Sequence, residues 1–226
     1  MPQLKICGVT DAAFAVEAAR RGIDYLGLIF AEGSPRRVTV EQARQIATVV
    51  RGTSLAGRGV PDAPRFVGVF TTQDVGEIAN IASAVGLDVV QLHGVYTDDD
   101  VVALKTKGYE AWRLFRRNPA CEDAVLLDGR RGNTSGMADW SLVAPLKSAG
   151  WRVVLAGGIS SSNVADAIRT GADVIDVSGS LETSPGAKSV ALLDGLVAAL
   201  PAVPKKDSRR GFQGGRKQGG ESAHRR

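Results

Sequence analysis

Short apolar runs rich in β-branched residues and leucine recur along the chain, and amphipathic stretches separate them. The runs are LKIC (4–7), YLGLIF (25–30), FVGVF (66–70), DVVQL (88–92), EAWRLF (110–115), AVLLD (124–128), RVVLA (152–156) and DVIDV (173–177). Segments such as VVQL and VLL lack polar alternation, the mark of strands buried on both faces. Between them, DAAFAVEAARRG, VEQARQIATVV, VGEIANIASAVG, DDDVVALKTKG, WSLVAPLKSAG and SNVADAIRTG place apolar residues near helical spacing. Several start on Asp, Thr or Ser and stop at Gly, the residues that satisfy orphan backbone groups at helix ends. RRNPACED, after the fifth strand, holds at most a turn of helix.

Alternating strands and helices predict parallel βαβ units, and eight of them in about 200 residues fit a single compact (β/α)8 TIM barrel. The helix in KSVALLDGLVAAL closes the count, and no GxGxxG follows strand one as an open dinucleotide-binding sheet would require. The stretch RGTSLAGRGVPDAPR (51–65) reads as a surface loop.

Composition refines this picture at the C-terminus. The 226 residues carry a net charge of +4, but residues 205–226 hold eight Lys or Arg against two acids, so the remainder carries −2. That Gly-, Arg- and Lys-rich tail buries too little apolar surface to offset its ordering entropy. The expected organisation is therefore a catalytic barrel over 1–203 and a disordered basic tail over 204–226. The tail's clustered cations suit weak contact with RNA or anionic surfaces, and no specific nucleic-acid partner is expected. No apolar run is long enough for a membrane span, and the N-terminus lacks a signal-peptide core, which predicts a cytoplasmic protein. Outward helix faces serve a monomer and a homodimer equally. With two Cys, two His and no HExxH, CxxC or Asp-rich loop, no metal site is expected.

In such barrels chemistry lies where strands end and βα loops begin. The residues at those ends are Cys7, Arg36 in SPRR, His93, Asp128, Gly157 with Gly158, and Ser178-Gly179-Ser180. Turns of small residues after strands seven and eight commonly present backbone N–H groups to a phosphate. Arg36 is a planar donor fork suited to a carboxylate, or a solvated loop arginine. His93 suits a hydrogen-bonding role at the rim. Cys121 reads as a small buried hydrophobe. At an ordinary pKa near 8.5 only about 3% of Cys7 would be thiolate at pH 7, so a base role needs surroundings that favour the anion. Lys5, two residues back on the same strand face, either supplies that or is structural. Asp128 is the one strand-terminal carboxylate across the rim, where desolvation would keep it protonated. A thiolate base facing a carboxylic acid is a proton-transfer pair.

Taken in order, KICGVTD, GLIF with SPRRV, FVGVF, VVQLHG, LLDG, ADW, LAGGISSSNV and DVSGSLETSPGAKS resemble the phosphoribosylanthranilate isomerases of tryptophan biosynthesis over about residues 3–200. The resemblance implies an Amadori rearrangement of N-(5-phosphoribosyl)anthranilate to 1-(2-carboxyphenylamino)-1-deoxy-D-ribulose 5-phosphate, without cofactor. It implies Asp128 as acid, Cys7 as base, Arg36 on the anthranilate carboxylate and the last two turns on phosphate. Two departures bear on affinity: Gly132 to Trp140 replaces the family's GGTGKTFDW, and DVSGSLE replaces DVSSGVE. A histidine-pathway barrel isomerase is the nearest alternative, but it would end strand one in Asp. A non-catalytic barrel with an RNA-binding tail is the other.

Overall fold

The computed structural model describes residues 1–53, 63–116, 118–129 and 137–201. Most of the 51–65 loop, residues 132–136 after strand six, and the 205–226 tail lie outside them.

Eight parallel strands close into one barrel in sequence order. They are β1 (Gln3–Cys7), β2 (Tyr25–Ile29), β3 (Arg65–Phe70), β4 (Val89–Leu92), β5 (Glu110–Leu114), β6 (Ala124–Leu127), β7 (Val153–Leu155) and β8 (Val174–Val177). Among the described residues seven α-helices surround it: α1 (Ala12–Arg20), α2 (Val40–Arg51), α3 (Val75–Val85), α4 (Asp98–Thr106), α5 (Val143–Ser148), α6 (Val164–Arg169) and α7 (Val190–Ala198). Among the described residues β5 runs to β6 with no helix between, as the polar RRNPACED implies. The helix expected over WSLVAPLKSAG is shorter, because Trp140–Leu142 is a 3-10 turn before α5. A hairpin not anticipated from the sequence, β9 (Glu182–Ser184) with β10 (Ala187–Lys188), follows β8.

The helix starts follow their caps. Asp11 accepts from the Phe14 N–H and Asp74 from the Glu77 N–H, while Thr39 and Thr97 form reciprocal capping boxes with Gln42 and Asp100. Each satisfies donors that the first helical turn leaves orphaned.

Strand alternation divides the core in two. Leu4, Ile6, Leu26, Phe66, Phe70, Leu92 and Ile175 face outward and pack with buried helix residues such as Phe14, Ile46, Ile78 and Leu104. Inside the barrel, Tyr25, Val67, Val89, Trp112, Leu126, Val154 and Val174 form the second cluster. Both faces are buried and mostly apolar, with Lys5 on β1, Gln91 on β4 and Asp176 on β8 among the buried polar exceptions, which is why most of these strands show no polar alternation. At the N-terminal end Arg152 hydrogen-bonds Gln3 and the Tyr25 hydroxyl and lies over the Tyr25 and Trp112 rings, plugging the barrel.

Cys121 departs from its expected burial. It is only partly covered, and its Sγ lies 3.6 Å from the Asp98 carbonyl oxygen. The wholly buried polar pair in this region is Arg113 with Glu122, at 2.7 Å.

Candidate active site

Inward positions of β1 and β8 place Lys5 opposite Asp176 in the ladder that closes the barrel. Lys5 is fully buried, and its Nζ donates to Asp176 Oδ2 at 2.6 Å. Two residues on, at the end of the same strand face, is Cys7, 8% exposed and close enough to the same ammonium for the two to interact electrostatically. Burial works against the Lys5 cation, but Asp176 and Cys7 outweigh it and hold its pKa above the ordinary lysine value. Burial likewise pushes the Cys7 thiol up; Lys5 pulls it down and Asp176 pushes it up, leaving it above the ordinary value. The sequence required a neighbour favouring the thiolate. Lys5 is that neighbour, and it partly offsets desolvation.

Asp128 follows β6 on the same rim. Its side chain is 27% exposed, so it is less desolvated than the sequence reading requires, and it lies 3.3 Å from His93 Nε2. The rim histidine and the carboxyl are thus neighbours. Gly157 explains the fit on the other side. Its φ of +83° suits glycine, and a Cβ there would come within 2.4 Å of the Gly129 nitrogen and 3.0 Å of Asp128 Oδ1. His93 and Asp128 line a cavity of about 1300 Å³ over the ends of β2 to β6, walled by apolar groups including Ile29, Val69 and Leu114.

The turns after β7 and β8 are built for backbone presentation. Gly157 and Gly158 both have positive φ. The Ser178 hydroxyl donates to the Cys7 carbonyl and that of Ser180 to the Ile159 carbonyl, so both hydroxyls tie loops together. The N–H groups of Gly158, Gly179 and Ser180 make no hydrogen bond among the described residues.

Arg36 is not a solvated arginine. Its Nε and Nη2 donate to the two oxygens of Glu182 at 2.8 and 2.7 Å. Lys188 Nζ donates to Glu182 Oε1 at 2.7 Å and to the Ser178 carbonyl at 3.1 Å. Burial opposes ionisation of Glu182, yet bonds from Arg36 and Lys188 lower its pKa to about 2. Sequence reasoning missed Glu182 and Lys188; being 146 residues from Arg36, Glu182 left no local signal. Among the described residues no group of three or more His, Cys, Asp or Glu is arranged to hold a metal.

A closed (β/α)8 barrel that gathers a thiol, a carboxyl, a guanidinium fork and two small-residue turns on its C-terminal rim is built as an enzyme of the barrel-isomerase class. A family model described as N-(5'phosphoribosyl)anthranilate (PRA) isomerase matches residues 4–199. The N-(5'-phosphoribosyl)anthranilate isomerase of Rubrobacter xylanophilus is 35% identical over 214 residues, covering 88% of this chain and 98% of that protein. The crystal structure of phosphoribosyl anthranilate isomerase from Thermus thermophilus superposes with a TM-score of 0.74 at 31% identity, covering 87% of this chain and 97% of that one. Another isomerase structure, in complex with reduced 1-(o-carboxyphenylamino)-1-deoxyribulose 5-phosphate, has a TM-score of 0.72 at 26% identity, covering 88% and 98%. The chain belongs to the N-(5'-phosphoribosyl)anthranilate isomerase family, and it is an isomerase of tryptophan biosynthesis.

Proposed function

We propose that this site converts N-(5-phosphoribosyl)anthranilate to 1-(2-carboxyphenylamino)-1-deoxy-D-ribulose 5-phosphate with Asp128 as general acid and Cys7 as general base. The observation that carries the assignment is the placement of Cys7, backed by Lys5, and Asp128, backed by His93, on one rim. Asp128 gives a proton to the ribose ring oxygen, the C1–O bond breaks, and the anthranilate nitrogen supplies the electrons for a Schiff base. Cys7, as thiolate, takes the C2 proton, and the electron pair moves to give an enolamine that tautomerises to the ketone. Lys5 beside the sulfur lowers the cost of the anion, and His93 holds the carboxyl in place.

Arg36 takes the anthranilate carboxylate by a charge-assisted pair. The N–H groups at Gly158, Gly179 and Ser180 receive the phosphate, with Gly157 setting the turn and Ser178 anchoring it to β1. All of the residues given roles here lie within 1–203, and the basic segment 204–226 is outside the described residues. No described helix is long and apolar enough to cross a membrane, and both cysteines are free thiols, which fits a cytoplasmic enzyme acting as a monomer or homodimer.

The test is complementation of a tryptophan auxotroph lacking this isomerase. Wild type should restore growth, while Cys7→Ser and Asp128→Asn, each removing a partner worth about 10² to 10⁴ in rate, should not. Undiminished growth with either variant would sink the mechanism.

A further inference from the structure

We propose that Glu182 is a positioning residue for substrate recognition: it holds the Arg36 guanidinium by one edge so that the opposite edge stays aligned for the substrate's aromatic carboxylate. The inference rests on the reading of Arg36 as the carboxylate-binding group. A guanidinium offers two bidentate edges, one through Nε and Nη2 and one through Nη1 and Nη2. Glu182 occupies the first, at 2.8 and 2.7 Å. Nη1 meets no acceptor among the described residues, so the second edge remains for a ligand.

The clamp is itself held rigidly. Glu182 is 4% exposed, and the buried Lys188 ammonium fixes its Oε1 at 2.7 Å. Lys188 in turn donates to the Ser178 carbonyl, so the carboxylate is tied to the end of β8. Thr10 Oγ1 donates to the Gly186 carbonyl at 2.7 Å, which pins the hairpin tip to the loop after β1. The Arg36 stem crosses Gly8, where a Cβ would come within 2.6 Å of Cδ. Head and stem are thus both constrained, and Arg36 is 27% exposed at the rim beside Cys7. A flexible arginine would have to lose its rotamer freedom when substrate arrives; this one has lost it on folding. Lys188 also compensates the second carboxylate, so Glu182 and the substrate do not compete for a single cation.

The test compares two ligands by calorimetry: reduced 1-(o-carboxyphenylamino)-1-deoxyribulose 5-phosphate and the same compound without the ring carboxylate. Wild type should prefer the carboxylated ligand at least about 30-fold, and Arg36→Met should abolish the preference. Glu182→Gln should cut the preference about 10-fold, leave affinity for the carboxylate-free ligand within about 3-fold, and raise KM while kcat stays within about 3-fold. Glu182→Asp, one methylene too short to span Arg36 and Lys188 together, should fall between them and lose at least about 3-fold. If Glu182→Gln does not fold, Glu182→Asp decides alone.

Equal loss for both ligands would show a merely structural hairpin and overturn the proposal, as would an unchanged preference. A wild type indifferent to the carboxylate overturns the Arg36 reading and the proposal with it. A preference lost in Arg36→Met but intact in the Glu182 variants overturns only the proposal.

Discussion

Lys5→Met separates what the buried cation does for the fold from what it does for the thiol. Lys5 is fully buried and Asp176 is 6% exposed, with 2.6 Å between Nζ and Oδ2. At an effective dielectric near 20 their attraction is about 6 kcal/mol, most of it offset by desolvating both charges. Removing one partner leaves the other charge buried, and Asp176 Oδ1 already lacks a hydrogen bond. The expected cost is about 3 to 5 kcal/mol, a fall in Tm on the order of 10 °C for a chain of this size. Denaturant melts at pH 7 measure it, and the deficit should shrink in acid as Asp176 protonates. The second assay is the pH profile of kcat/KM, which reports the free enzyme's base. Burial already raises Cys7 and Lys5 opposes that, so losing Lys5 must move the acid limb to higher pH. The double variant Lys5→Met, Asp176→Leu removes both charges and should regain stability to within about 1 kcal/mol of wild type. It should not regain activity, because the thiolate is still unassisted. Stability within about 1 kcal/mol in the single variant, an acid limb that stays put, or full activity in the double variant would each refute this account.

Three further outcomes follow from the geometry. Because the folded pKa of Glu182 is depressed to about 2, its contribution is fully present above the unfolded carboxyl's range and disappears as pH falls toward 2. Glu182 should therefore account for about 3 kcal/mol of the stability that wild type loses across that window in urea melts, and Glu182→Gln should lose correspondingly less. Gly157→Ala forces a side chain into positive φ against Gly129 and Asp128; kcat should fall about 10-fold or more, whereas an unchanged kcat would separate Asp128 from the reaction. Deleting residues 205–226 should leave kcat/KM within about 3-fold, since every residue given a role in the reaction lies between positions 5 and 188; a large loss of activity would show the tail to be part of the site.

The barrel was legible because its strands obey a strong local rule. Enclosed on both faces, β6 reads as an uninterrupted apolar run and β3 as one after Arg65, and Asp11, Thr39, Asp74 and Thr97 mark helix starts through bonds spanning only three residues. The hairpin of Glu182–Ser184 with Ala187–Lys188 was not legible, because its strands are short, polar and mostly exposed, with no face to pattern. The helix ending at Ser148 came out short for a related reason: Asp139 bonds the Ser141 N–H and starts a 3-10 turn first.

By itself the chain's sequence determined that a thiol at position 7 and a carboxyl at position 128 end strands of one barrel, since position in a βα unit is a local property. What those groups meet is not local. Lys5 and Asp176 are 171 residues apart and join only when β8 pairs with β1 to close the barrel; Arg36 and Glu182 join only when the hairpin folds back over the rim. Cys7 therefore owes its place to the sequence and its charged neighbours to closure, because electrostatic partners are chosen by distance in space, which the order of residues does not record.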